Sequence, residues 1–158
     1  MLQGVVLCAV LILTYAGVPL TQVQPAQAAG AVPQRVVGDG TPASCTEFAL
    51  LKAVDSGGDV SFACGGPHTF ALSMPLTATL NAHIDGGGQI TLTAQGVHRM
   101  VHVAATSVMT IDNMTFASGN GGAIFSYGDL TVRGSRFYDN ATRGGGADKR
   151  GGAISAQG

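Results

Sequence analysis

Hydrophobic and polar positions alternate with a period of two through most of this chain, and one alternating stretch is written twice. Met109-Thr-Ile-Asp-Asn-Met-Thr-Phe116 returns as Leu130-Thr-Val-Arg-Gly-Ser-Arg-Phe137, each position 21 residues on. Met109 thus matches Leu130, Ile111 matches Val132 and Phe116 matches Phe137. Between the copies lies Gly121-Gly122-Ala123-Ile124, and Gly151-Gly152-Ala153-Ile154 repeats it after 30 residues. Thr, Ile, Val and Phe at alternate positions, broken by Gly, Asn and Asp, are strand-and-turn chemistry. A recurrence of this size predicts a solenoid.

The same short strands are predicted upstream: 59–64, 68–72, 75–80, two fragments around a glycine corner in 84–92, 99–103 and 108–116. No stretch after Ser56 has helical spacing, so parallel pairing must come from coiling rather than from βαβ crossovers. The expected fold is all-β, a parallel β-helix with rungs ~4.8 Å apart and inward residues in ladders.

One helix precedes the strands. Ser44 with Glu47 three residues later reads as a capping box. Phe48, Leu51 and Val54 follow at helical spacing, and Gly57-Gly58 ends the run. The helix is expected over 46–56 as a lid on the solenoid's amino end. The domain plan is a signal peptide at 1–28, a linker at 29–35, the amino-terminal cap at 36–66 and rungs at 67–158.

The signal peptide rests on an uncharged apolar run from Gly4 to Leu20 and an Ala26-Gln-Ala28 cleavage site. No Lys or Arg precedes the run. An uncleaved anchor is the alternative, for which the run is slightly short. Cys8 lies inside this segment. The expected location is therefore secreted, cell surface or outer membrane, with any membrane attachment made by elements other than those in this chain.

Composition narrows the partners. Glycine supplies 24 of 158 residues and charged residues 11%, which suits tight turns and close backbone approaches. A net charge of −1 gives no field to gather nucleic acid, which is excluded as a partner.

Three stretches resemble the opening of bacterial secreted right-handed parallel β-helix proteins. They are Gly38-Asp-Gly-Thr-Pro-Ala-Ser-Cys-Thr-Glu47, Phe62-Ala-Cys-Gly-Gly-Pro-His-Thr-Phe70 and Ile84-Asp-Gly-Gly-Gly-Gln-Ile-Thr-Leu92. The paired Gly-Gly-Ala-Ile motifs, with Phe137-Tyr-Asp-Asn140, are similar to the GGA-[ILV] and F-x-x-N motifs of polymorphic outer-membrane protein repeats. The resemblance implies a pectate-lyase-like, right-handed β-helix and a surface or adhesive role, with cell-surface glycans or a host or neighbouring cell surface as partner. The first repeat departs from the motif, since Phe116 is followed by Ala-Ser-Gly-Asn120. The same scaffold also hosts polysaccharide lyases and glycoside hydrolases, so an amino-terminal fragment of such an enzyme is the alternative.

Catalysis on that scaffold would need clustered carboxylates on one outer face. Asp85, Asp112 and Asp139 are the candidates, 27 residues apart twice. In a 21-residue register they do not stack, and Asp112 falls beside Arg133 as a solvated cross-strand pair. Asp148-Lys149-Arg150 reads as a loop tip. His98 and His102 form H-x-x-x-H, but on a strand they stand about 13 Å apart, too far for one metal. His68 and His83 have no partner legible in the sequence. No catalytic, metal or cofactor site is expected. Cys45 and Cys64 are an even pair in an exported chain, read as a disulfide in preference to two buried thiols. Because the rungs stop at Gly158 without an amphipathic segment to cover them, a longer solenoid is expected.

Overall fold

The computed structural model describes residues 32–142 and 152–157. The predicted signal peptide, Cys8, the Asp148-Lys149-Arg150 loop, Gly151 and Gly158 lie outside the described residues.

Those residues form a mostly β structure with one short helix, parallel strands and no closed barrel. In chain order the elements are β1 (Gln34–Val37), a 3-10 turn (Pro42–Ser44), α1 (Glu47–Asp55), β2 (Gly58–Phe62), β3 (His68–Ala71), β4 (Leu76–Ala78) and β5 (Ala82–Thr93). Then come β6 (Val101–Val103), β7 (Val108–Ala117), β8 (Ile124–Ser126), β9 (Asp129–Arg133), β10 (Arg136–Tyr138) and β11 (Ile154–Ala156). Gln34 and Arg35, assigned to the linker from sequence, already belong to β1. The Arg35 guanidinium holds them there by donating to the Gly57 carbonyl at 3.0 Å.

The helix starts later than its sequence signal suggests. Pro42 opens the 3-10 turn and Ser44 is used up inside it, its Oγ donating to Thr41 O and accepting from Asp39 N. Thr46 is the N-cap instead, accepting from Ala49 N at 3.2 Å. Glu47, freed from a capping role, accepts from the Ser73 amide at 2.6 Å and from the Ser73 hydroxyl, fastening α1 to the chain beyond β3. The buried stripe is Leu50, Ala53 and Val54, while Phe48 is 75% exposed. Of the expected stripe, Val54 is buried and Leu51 packs against the core, while Phe48 is corrected to an exposed position. Cys45 and Cys64 are bonded, with Cα atoms 5.6 Å apart, and tie the turn before α1 to the segment after β2.

After α1 the chain alternates between two sheets. One has the order β1-β2-β5-β7-β10, with β3 also on β5 and β9 also on β7; the other runs β4-β6-β8-β11. Every strand pairing is parallel. Each return to a sheet passes through the other, which supplies the long connection that parallel strands require. β5 and β7 each present two arms to their neighbours. Between the arms, residues 86–89 of β5 stand opposite Asn113 alone.

Equivalent side chains stack through these pairings. Val60, Ile84, Ile111 and Val132 are cross-strand neighbours in succession. So are Phe70, Leu92, Phe116 and Phe137, and in the second sheet Leu76, Val101, Ile124 and Ile154. The first three members of each series are buried almost completely, and each such side chain is worth roughly 1.5–3 kcal/mol. The expected register, with Met109, Ile111 and Phe116 beside Leu130, Val132 and Phe137, is the one observed. The rings of Phe116 and Phe137 lie parallel, 5.0 Å apart.

The two short motifs acquire physical roles. Gly121 and Gly122 both have left-handed φ, +81° and +87°, which a Cβ would disfavour. They turn the chain so that Ala123 and Ile124 enter the core at full burial. Asn140 spans the preceding return: its Oδ1 accepts from Gly119 N at 2.8 Å and its Nδ2 donates to Phe116 O at 2.9 Å. Asn140→Ala leaves both backbone groups short of a partner and should cost about 1–3 kcal/mol. A urea midpoint unchanged by that substitution would refute the role.

Candidate functional site

Side chains on the outer face of the larger sheet alternate with its inward ladder. Asp59 and His83 are paired across β2 and β5, and Asp85 and Asp112 across β5 and β7. The expectation that Asp85 and Asp112 do not stack is therefore corrected. Returns differ in length, since Ile84 meets Ile111 while Ile111 meets Val132, and only the second interval is the 21 residues of the visible repeat. Asp139 follows β10 on the other arm of the sheet and does not join them.

His83 organises the group. Its Nδ1 lies 3.3 Å from Asp59 Oδ1 and its Nε2 3.0 Å from Asp112 Oδ2, so one ring links three successive strands. A neutral imidazole donates to one carboxylate; the doubly protonated ring donates to both. Asp112 is the more covered acid, its side chain 18% exposed against 40% for Asp59. Its Oδ1 is buried with no hydrogen-bond partner. The predicted solvated pair with Arg133 is thus corrected: backbone register places the two residues side by side, but the carboxylate turns to His83.

Asp85 is held separately. Its Oδ1 accepts from Asn113 Nδ2 at 3.0 Å and from Gly87 N at 2.9 Å. The Asn113 bond first, then the Gly87 bond, and last the nearby His83, hold its carboxyl below the usual carboxylate range. A carboxyl depressed in the folded state stabilises the fold above its unfolded pKa, and that contribution is lost as pH falls through the folded value. Asp85 is exposed, so the effect is under about 1 kcal/mol. Asp85→Asn should flatten the acid limb of the stability curve below about pH 4; an unchanged limb would contradict the assignment.

This arrangement is poorly suited to metal binding. The two ring nitrogens of His83 face different carboxylates, so no single point is close to all three groups. Among the described residues no three His, Cys, Asp or Glu side chains converge on a metal position. His98 and His102 do not pair either: His98 contacts the Arg99 and Leu72 carbonyls, whereas His102 sits among aromatic rings. His68 lies edge-on to Phe70 at 4.6 Å.

The hollows beside these acids are small. One of about 260 Å³ borders His83, lined by Asp59, Asn81, Val108 and Thr110; another of about 290 Å³ borders Asp85. Pockets that enclose a small-molecule ligand run to roughly 300–1,000 Å³, so these are surface depressions. A roomier hollow, about 520 Å³, lies between α1 and the start of β4, along Phe48, Leu51 and Met74.

His83 is the residue that the sequence did not expose as part of a cluster. Its only sequence signal is an outward position in its strand, like those of Asp59 and Asp112 in theirs, which is readable once the lengths of the returns are known. Among the described residues, no helix is long and apolar enough to cross a membrane. Compared with protein-family models, curated proteins and solved structures, the chain matches none.

Proposed function

We propose that this chain is an exported right-handed parallel β-helix module of the cell surface, related to the polymorphic outer-membrane repeats, whose work is structural and adhesive. The observation that carries the reading is the parallel pairing of every strand, with like side chains stacked on both sheets. Inward ladders on both sheets take up most of the apolar strand positions, which leaves the alternate side chains on the outer faces to meet another surface. The Cys45–Cys64 bond supports an oxidising destination. The His83 bridge supports a structural part for its acids, because Asp59 and Asp112 are each turned to the imidazole.

A second reading is favoured by the stacking of Asp85 on Asp112: a polysaccharide lyase or hydrolase that uses this outer face. One experiment separates them. Beads coated with the purified protein should be retained on cell or glycan-coated surfaces. The same protein should release no sugar from acidic polysaccharides, with or without Ca²⁺. Turnover abolished by Asp85→Asn or Asp112→Asn would replace the adhesive reading with the enzymatic one.

A further inference from the structure

The smaller sheet breaks its own pattern at one place. Thr77, His102, Phe125 and Ser155 are cross-strand neighbours on β4, β6, β8 and β11, and they point away from the Leu76–Val101–Ile124–Ile154 ladder. Three of the four are polar, as an outer face requires. Phe125 is not, yet it is only 6% exposed. Its neighbours cover it: the Arg99 guanidinium lies 4.4 Å from its ring centroid, and Tyr127 stands edge-on at 4.7 Å and 86°. His102 touches both rings at 5.8 Å.

Tyr127 remains 46% exposed at the edge of a hollow of about 290 Å³ lined by Pro75, Thr77, Arg99, His102, Phe125 and Tyr127. No carboxylate lines it. The Tyr127 ring is braced by two edge contacts, so little rotamer freedom remains to be lost when a ligand lies on it. A braced aromatic face with a hydroxyl and an imidazole at its rim suits a molecule that has an apolar face and a rim of hydroxyls. That is a pyranose: its axial C–H bonds lie on the ring face while its hydroxyls reach Thr77 and His102. A nucleobase would also stack, but the arginine of the lining, Arg99, is already laid over the Phe125 ring, and the chain's net charge of −1 adds no wider attraction for phosphates. Pro75 and Thr77 also line the apolar groove beside Phe48 and Met74, so the surface continues past one sugar unit.

We propose that Tyr127, braced by Phe125 and His102, binds a neutral hexose or pentose unit within a glycan chain. The proposal rests on the adhesive reading and gives it a site and a ligand class.

The test is calorimetric titration of the purified protein with cellohexaose, chitohexaose, mannohexaose and xylohexaose. At least one should bind, more tightly than its disaccharide. Tyr127→Ala should weaken it by about tenfold or more, and Tyr127→Phe, which keeps the ring, by less than about threefold. Circular dichroism should show both variants folded, as expected for a half-exposed side chain. Binding of none of the four, or binding indifferent to Tyr127→Ala, overturns the site. Beads that adhere although no sugar binds would sink the site and leave the adhesive reading standing. Sugar binding without bead retention would do the reverse.

Discussion

Ile111→Asp is expected to unfold the protein. Ile111 is fully buried between Ile84 and Val132 in one of the inward ladders. The substitution forfeits roughly 1.5–3 kcal/mol of apolar burial. It also places a carboxylate where neither water nor a cation can reach it, which costs several kcal/mol more or forces the group to bind a proton. Against a typical domain stability of about 5–15 kcal/mol, that is enough to abolish folding at neutral pH. The next residue should behave differently. Asp112→Ala removes one bond to the half-exposed His83, worth under about 1 kcal/mol. It also removes Oδ1, which is buried without a partner, a cost already present in the wild type. Far-UV circular dichroism and urea melts of the two variants provide the check. Comparable losses would mean that the inward and outward positions are misassigned.

Opening the Cys45–Cys64 bond should have the next largest effect. The cross-link closes a loop with a sequence separation of 19, which in the chain-entropy model is worth about 3 kcal/mol. Its position adds to its importance: it ties the turn that leads into α1 to the segment after β2. Losing it should loosen the cover that Leu50, Ala53 and Val54 provide before the ladders beyond are affected. Guanidinium melts with and without dithiothreitol should differ by that amount, and Cys45→Ser with Cys64→Ser should match the reduced protein. Identical midpoints in the oxidised and reduced states would show that the bond contributes nothing.

Much of this architecture was legible in the pattern of the chain. The matched copies 109–116 and 130–137 lie side by side in the register their alignment implies, because a period-two pattern with one buried face allows no slip. In the paired Gly-Gly-Ala-Ile motifs, Ile124 sits beside Ile154. The helix is legible over 46–56, and of its expected stripe only Phe48 faces away from the core. The cap legible in the sequence is Ser44; the 3-10 turn begun at Pro42 takes up Ser44 and leaves Thr46 to cap the helix. The outer-face cluster was hidden for a different reason. Asp59, His83 and Asp112 converge through returns of unequal length, and a period taken from one repeat assigns them to different columns. The Phe125 platform left no sequence signal, since an isolated aromatic in a short alternating strand reads as core.

The stacking of side chains through successive parallel returns is the claim on which everything else depends. Methyl nuclear Overhauser contacts in protein labelled at Ile, Leu and Val report it directly. Val60 should show cross-peaks to Ile84, Ile84 to Ile111 and Ile111 to Val132, with a second chain of contacts running Leu76, Val101, Ile124 and Ile154. Contacts displaced by one return, or Ile111 methyls that see neither Ile84 nor Val132, would contradict the register and with it the proposed solenoid.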